Sequence, residues 1–141
     1  MLKVTVLNTW SPQLLSVLRV VAALLYLLHG TQKLFAIPPS APGATVELAS
    51  RLGAAGVIEV VGGLLILLGL FTRPAAFICS GEMAFAYFLA HAPRGPLPIG
   101  NGGEVPVLYC FIFLYLAAAG GGAWSLDALR SRVLTSPNRR G

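Results

Sequence analysis

Four long apolar stretches, separated by short polar or proline-rich segments, dominate the pattern of hydrophobic and polar positions along the chain. A helix needs about 20 residues to cross the roughly 30 Å hydrocarbon layer of a bilayer. Because each stretch is close to that length, the pattern predicts an all-α fold, an antiparallel bundle of four transmembrane helices. The predicted spans are residues 13–36, 53–71, 74–92 and 105–122.

Proline and serine mark two boundaries of these elements. Pro74 fits the first turn of a helix, where its missing N–H is harmless, so the link between the second and third spans is very short. Beyond the fourth span, Ser125 predicts the N-cap of a short helix at the membrane surface, over about 125–134. We therefore expect one domain over residues 1–134 and a disordered tail over 135–141.

The composition supports a lipid environment. Hydrophobic residues make up 56% of the chain and charged residues only 11%, whereas a soluble domain carries about 25% charged residues. The net charge of +5 would suggest a nucleic-acid partner for a soluble protein. Here the basic residues are dispersed apart from a cluster at the C-terminus, which is typical of membrane-flanking segments, so we expect a bilayer and no nucleic acid as partner.

The distribution of lysine and arginine predicts the orientation. If both termini lie on one side, that side carries Lys3, Arg73 and the arginines within 130–140, and the opposite loops carry Arg51 and Arg94. Cytoplasmic loops are enriched in basic residues. Both termini are therefore predicted to be cytoplasmic.

Ionisable side chains at bilayer depth are costly and need partners. With a rise of about 1.5 Å per residue, Arg19 and Glu82 lie roughly 9 and 12 Å from the cytoplasmic edge. We predict that they form a structural ion pair between the first and third spans. Glu59 lies roughly 9 Å from the outer edge, at a level comparable with His29 and Lys33. Two basic and two acidic groups would then neutralise one another in a medium of low dielectric constant.

The outer group, His29, Lys33 and Glu59, permits two interpretations. Its charges could only fix the register of the helices, or, as the histidine favours, they could line a pocket for a quinone or a small polar ligand. Asn101 and Glu104 would stand above it at the outer mouth, although an Asn-Gly turn and a favourable helix dipole explain them equally well. The predicted ligand-binding residues are His29, Lys33, Glu59, Asn101 and Glu104, and no catalytic residue is assigned.

Two histidines at similar predicted depth, His29 and His91, raise the question of a haem. His91 stands at a helix end beside Ala92-Pro93, where an interfacial histidine is ordinary. We therefore expect neither haem nor a metal ion, and a quinone is the one cofactor that the pattern suggests.

An ordered set of short motifs over about residues 13–130 resembles the DoxX family. The motifs are Arg19…His29-Gly30-Thr31-Gln32-Lys33-Leu34-Phe35, Glu59-Val-Val-Gly62-Gly63…Gly69-Leu-Phe-Thr72-Arg73-Pro74, Asn101-Gly-Gly-Glu104 and Gly122…Ser125-Leu126-Asp127. The resemblance implies a four-helix protein of the bacterial inner membrane. The family includes a subunit of a thiosulfate:quinone oxidoreductase, and other members associate with redox or sulfur-stress systems.

Three functions remain open at the level of sequence. The first is a redox-associated, quinone-linked membrane component, with His29 and Lys33 as donors to a quinone oxygen and Glu59 as proton acceptor. The second is a non-enzymatic scaffold or assembly subunit, either with a protein partner or as a homo-oligomer. The third is a small transporter, which four spans could form only as an oligomer, and no inverted repeat is visible in the sequence.

Overall fold

The computed structural model describes the backbone of residues 2–39 and 46–135, with side chains from residue 8 onward. Within these ranges the protein is all-helical. The helix that begins at Thr72 continues through a π-helical turn, Tyr87–His91, and a 3₁₀ turn, Ala92–Arg94. The α-helices are α1 (Leu2–Phe35), α2 (Arg51–Leu68), α3 (Thr72–Ala86), α4 (Pro98–Asn101), α5 (Glu104–Ala119) and α6 (Leu126–Thr135).

Three helical stretches are long and apolar enough to cross a membrane: Asn8–Phe35, Arg51–Leu68 and Thr72–Arg94. α5 is also apolar but has only 16 residues. The chain is therefore a helical membrane protein, and the complete four-span antiparallel bundle stays a prediction. α1 begins well before the predicted start at residue 13, because Pro12 is accommodated inside the helix rather than ending it.

The helices pack chiefly as two pairs, α1 with α2 and α3 with α5. Gly30 and Gly63 allow the backbones of α1 and α2 to approach closely: a Cβ atom at Gly30 would lie 2.8 Å from Glu59 Cβ, and one at Gly63 would lie 3.3 Å from Leu27 Cα. In the second pair, the Ser80 hydroxyl donates to the Cys110 carbonyl at 2.8 Å. Within each pair the helices run in opposite directions.

The interior is built from small and aromatic side chains, and the larger aliphatic side chains lie outside. The Tyr26 and Phe113 rings meet edge to face with centroids 4.7 Å apart, and neither residue is exposed. Leu25, Phe77 and Phe111 are all more than half exposed. Such a distribution suits a protein whose outer surface is covered by hydrocarbon, since exposed apolar side chains cost nothing there.

α6 is fixed to the bundle by Asp127. Its carboxylate accepts the backbone N–H groups of Phe71 and Thr72, both at 2.9 Å, and so caps the start of α3. Burial opposes ionisation of this carboxyl, but the hydrogen bonds from Thr72 and Phe71 and the charge of Arg130 outweigh it, and the pKa of Asp127 falls below its usual value. α6 lies where a short helix is predicted. Its location at a membrane surface stays a prediction, and from residue 136 the predicted tail lies outside the described residues.

Candidate functional site

Arg19 is 1% exposed and lies at one end of the bundle, called here the Arg19 end. Its Nε donates to the Gly121 carbonyl at 2.8 Å, and its other nitrogens donate to the carbonyl groups of Ile66, Leu67 and Trp124. The last carbonyl groups of a helix lack intrahelical donors and carry the negative end of the dipole, so they attract a guanidinium. The predicted ion pair between Arg19 and Glu82 is therefore wrong: backbone carbonyl groups occupy the arginine.

Glu82 has a different partner. The hydroxyl of Tyr26 donates to Glu82 Oε2 at 3.0 Å. Tyr26 is fully buried in the core, whereas Glu82 is half-buried and lies near the middle of the apolar stretch Thr72–Arg94. Glu82 thus belongs with the polar residues deeper in the bundle rather than with Arg19.

Lys33 and Glu59 form an ion pair at the opposite end, called here the Lys33 end. Lys33 Nζ lies 2.6 Å from Glu59 Oε1, with the lysine side chain 30% exposed and the glutamate side chain 2% exposed. Gly30 makes room for this pair, because the backbone of α1 touches α2 at Glu59. The second carboxylate oxygen, Glu59 Oε2, is buried and has no hydrogen-bond partner within the described part of the chain.

His29 lies beside this pair without joining it. It is close enough to Glu59 to interact electrostatically. Its ring is exposed on the surface of the bundle and packs edge-on against Tyr109, with centroids 6.1 Å apart. The structure therefore brings Lys33 and Glu59 into contact and leaves His29 at the edge of the group.

The Asn101–Glu104 segment folds on itself. Asn101 is 3% exposed: its Nδ2 donates to the Gly95 carbonyl at 2.8 Å, and its Oδ1 accepts from the Gly103 N–H at 2.8 Å. Glu104 is exposed in the first turn of α5. Among the hydrogen bonds of the described residues, none joins Asn101 or Glu104 to Lys33 or Glu59, so the turn accounts for Asn101.

His91 belongs to the same loop. Its Nδ1 lies 3.1 Å from the Asn101 carbonyl oxygen, and its ring stacks on Tyr87. In the ranges 2–39 and 46–135, no three His, Cys, Asp or Glu side chains form a group that could hold a metal ion.

A lateral groove between α2 and α3 connects the two polar pairs to the outer surface. Its volume is about 800 Å³. Its walls are mainly apolar, with Ile58, Ile78 and Phe85 among the lining residues, but Lys33 and Glu82 also line it. We call this feature the α2–α3 groove. Besides the Lys33 ammonium and the Glu82 carboxyl group, Ser50 and Arg51 are its polar lining residues.

Two residues of this site differ from the sequence prediction. Glu82 is predicted to have another partner, and Tyr26 is not among the predicted site residues. The sequence predicts Glu82 beside Arg19 because both residues lie at a similar distance from the cytoplasmic edge. Tyr26 lies three residues before His29 and seven before Lys33, on the polar face of α1, and that periodicity could have identified it.

Comparison with known proteins gives three matches. The sequence profile described as DoxX matches residues 14–92, more than half of the chain. An uncharacterized protein of Haemophilus influenzae is 49% identical over 125 residues, which cover 86% of this chain and 93% of that protein. A second uncharacterized protein of the same organism is 31% identical over 75 residues, covering 53% of this chain and 50% of that protein. No solved structure gives a significant match.

Proposed function

This chain belongs to the DoxX family, and on that premise we propose that it is a quinone-linked component of the bacterial inner membrane, with the quinone ring bound in the α2–α3 groove. The resemblance supports a redox association, because the family includes a subunit of a thiosulfate:quinone oxidoreductase and other members associate with redox or sulfur-stress systems. The groove is the part of the molecule to which that function is assigned.

The observation that carries the proposal is the combination of polar groups and apolar walls in one groove. Lys33 and Glu82 both line a space of about 800 Å³ whose other lining residues are mostly apolar. Small-molecule sites typically measure about 300–1,000 Å³ and place a few polar groups in an apolar lining. A quinone has an apolar tail and ring and two carbonyl oxygens, so it matches both kinds of surface and reaches the groove from the bilayer.

Lys33 is the donor to a quinone oxygen. An ammonium group has three N–H donors, and one of them is used by Glu59 at 2.6 Å. Glu59 holds the ammonium in place and compensates its charge. Glu82, held by Tyr26, offers a second polar contact from α3.

His29, Asn101 and Glu104 are not among the residues that line this groove. The proposal therefore assigns the ligand to Lys33 and Glu82, with Glu59 as the support of Lys33. A ligand role for the other three residues stays a prediction from the sequence, as do the scaffold and transporter functions and any oligomer.

The orientation with both termini in the cytoplasm is supported by charges at the two ends. Arg73 and Asp127 belong to the Arg19 end, where Arg73 donates to the Ala118 carbonyl at the end of α5. Arg130 and Arg132 follow in α6. Arg51 and Arg94 belong to the opposite end. The positive-inside bias then places the Lys33 end on the outer side.

A substitution that fills the groove tests the proposal. A Cβ atom at Gly81 would meet nothing within 4 Å, and Gly81 lines the groove, so Gly81→Leu adds bulk there from a position with open space at its Cβ atom. We expect equilibrium binding of a short-chain ubiquinone to the protein in lipid nanodiscs, weakened at least about tenfold by Gly81→Leu, equivalent to about 1.4 kcal/mol.

The matched control is Gly100→Leu. Gly100 also has open space around its Cβ position, and it lies in α4, away from the groove. This variant should bind the ubiquinone as the wild type does. Equal affinity of the wild type and Gly81→Leu, or no binding by the wild type, would show that the groove is not a quinone site.

A further inference from the structure

The charges around the α2–α3 groove do not pair completely. Lys33 is in contact with Glu59. Glu82 accepts its hydrogen bond from Tyr26, a neutral phenol. Two carboxyl groups therefore share one ammonium, and Glu82 and Glu59 are close enough to act on each other electrostatically.

The other groups near Glu82 do not supply a second cation in contact with it. Cys79, on α3 itself, is a free thiol that interacts electrostatically with Glu82. Arg51 also lines the groove, but as the exposed first residue of α2 it lies at the mouth, and no ion pair joins it to Glu82 among the described residues. The exposed His29 acts electrostatically on Glu59. Tyr109 on α5 also interacts with Glu59, but its side chain is a phenol and supplies no cation. An unpaired carboxylate near the middle of a membrane-spanning helix is costly.

We propose that Glu82 carries a proton in the resting protein and presents a carboxylic acid to the groove, so that the groove selects a neutral ligand with carbonyl oxygens over a cationic ligand. The inference rests on the proposed quinone function for the identity of the ligand, but the proton on Glu82 can be measured without any ligand.

The geometry places the proton on Glu82 rather than on Glu59. Protonating Glu59 would remove the charge-assisted contact at 2.6 Å and leave the Lys33 ammonium without its counter-ion. On Glu82 a proton removes an unpaired charge and leaves the hydrogen bond from Tyr26 to Oε2 in place. Oε1 is then the oxygen that carries the proton.

With a protonated Glu82, the donors in the groove include the acid O–H and the Lys33 ammonium, besides the exposed Arg51 guanidinium. A quinone offers two carbonyl acceptors and no donor, so it complements them. A quinol has two hydroxyl groups that must also donate, and a cationic amphiphile has no acceptor and would be repelled by Lys33. We expect the oxidised quinone to bind more tightly than either.

Infrared spectroscopy of the ligand-free protein in nanodiscs at neutral pH tests the proton directly. We expect a carbonyl stretching band of a protonated carboxyl group, lost in Glu82→Gln and shifted in Tyr26→Phe, which lacks the hydrogen bond to Oε2. The control is Glu104→Gln, which changes an exposed glutamate and should keep the band. No such band in the wild type, or a band that survives Glu82→Gln, overturns the inference.

Binding provides the second readout. If Glu82 donates, Glu82→Gln keeps a weaker donor and reduces ubiquinone affinity a few-fold, and Glu82→Leu reduces it at least about tenfold. If Glu82 were ionised, Glu82→Gln would instead strengthen ubiquinone binding and weaken binding of dodecyltrimethylammonium, and that pattern contradicts the inference. If neither the wild type nor any variant binds ubiquinone while the infrared band behaves as expected, the proposed function is refuted. The assignment of the proton to Glu82 then still holds.

Discussion

At the residue scale, the depth of a buried charged residue along its helix does not determine its partner. The partner is determined by the donor and acceptor atoms that its side chain can reach. Arg19 and Glu82 were matched by their depth along two helices, but depth does not give the direction in which a side chain points. The Ile66 and Leu67 carbonyl groups in the last turn of α2 lie within reach of Arg19 and accept its hydrogen bonds. Lys33 and Glu59 could be grouped from the sequence because both lie near one end of adjacent helices, where Gly30 brings the backbones together.

Arg19→Leu should destabilise the protein strongly, because it removes a donor from the carbonyl groups of Leu67, at the end of α2, and of Gly121 and Trp124, between α5 and α6. Each buried polar group left without a partner costs about 1–3 kcal/mol, so we expect a loss of more than about 3 kcal/mol. Thermal unfolding in a mild detergent measures the change.

The matched control for Arg19→Leu is Arg132→Leu on the exposed surface of α6, which should leave the unfolding temperature nearly unchanged. Arg19→Lys should fall between, because one ammonium cannot reach four acceptors. If Arg19→Leu and Arg132→Leu unfolded at the same temperature, the capping role of Arg19 would have to be abandoned.

At the scale of the elements, the helices of the second and third spans lie close to their predicted positions, since apolar length and flanking proline determine them. α1 is longer than predicted because Pro12 does not end it; its carbonyl accepts the Ala123 N–H at 3.1 Å. The π-helical turn Tyr87–His91 and the buried Asn101 could not be predicted, because both depend on tertiary contacts of the loop. The α2–α3 groove likewise could not be predicted, because it depends on the relative placement of two helices and the hydrophobic pattern does not give that placement.

The contact between α1 and α2 can be tested at Gly30. In Gly30→Ala the new methyl group would lie 2.8 Å from Glu59 Cβ and 2.9 Å from the Val60 backbone nitrogen, so the helices must separate. We expect a loss of about 1–3 kcal/mol of stability from overpacking and weaker binding of the quinone, because Glu59 moves away from Lys33.

The control for Gly30→Ala is Gly81→Ala, which enters open space and should stabilise α3 or leave its stability within about 1 kcal/mol. Unfolding in detergent compares the two variants. A Gly30→Ala protein as stable as Gly81→Ala would contradict the close approach of α1 and α2.

The link between α6 and α3 predicts a dependence on pH. The pKa of Asp127 is lowered below its usual 3.8 by its hydrogen bonds to α3. Its carboxylate therefore stabilises the folded state above about pH 4, and this contribution is lost as the pH falls through the lowered folded value.

Thermal unfolding of the wild type and Asp127→Asn, followed from neutral pH to about pH 3, measures that contribution. The wild type should be the more stable at neutral pH, and the difference should shrink on acidification. A difference that stays constant or grows at low pH would show that the ionised carboxylate is not what holds α6 to α3.

At the scale of the whole molecule, the polar side chains at the two ends of the bundle have different surroundings and partners. At the Arg19 end, arginine and aspartate side chains close helix termini and hold α6. At the Lys33 end and in the middle, Lys33, Glu59, Tyr26 and Glu82 form two polar pairs, of which Lys33 and Glu82 open onto the α2–α3 groove. Buried charge at the Arg19 end stabilises the fold, and the charge near the groove is where we propose that the ligand binds.

Photolabelling with an azido-ubiquinone, followed by peptide mapping, tests the quinone site most directly. The protein in native-like nanodiscs should be labelled on the walls of the α2–α3 groove, at residues such as Ile58, Ile78 and Phe85, and excess short-chain ubiquinone should suppress the labelling. Gly81→Leu should lose it and Gly100→Leu should keep it. Labelling that ubiquinone does not suppress, or that falls instead around His29 and Glu104, would contradict the account.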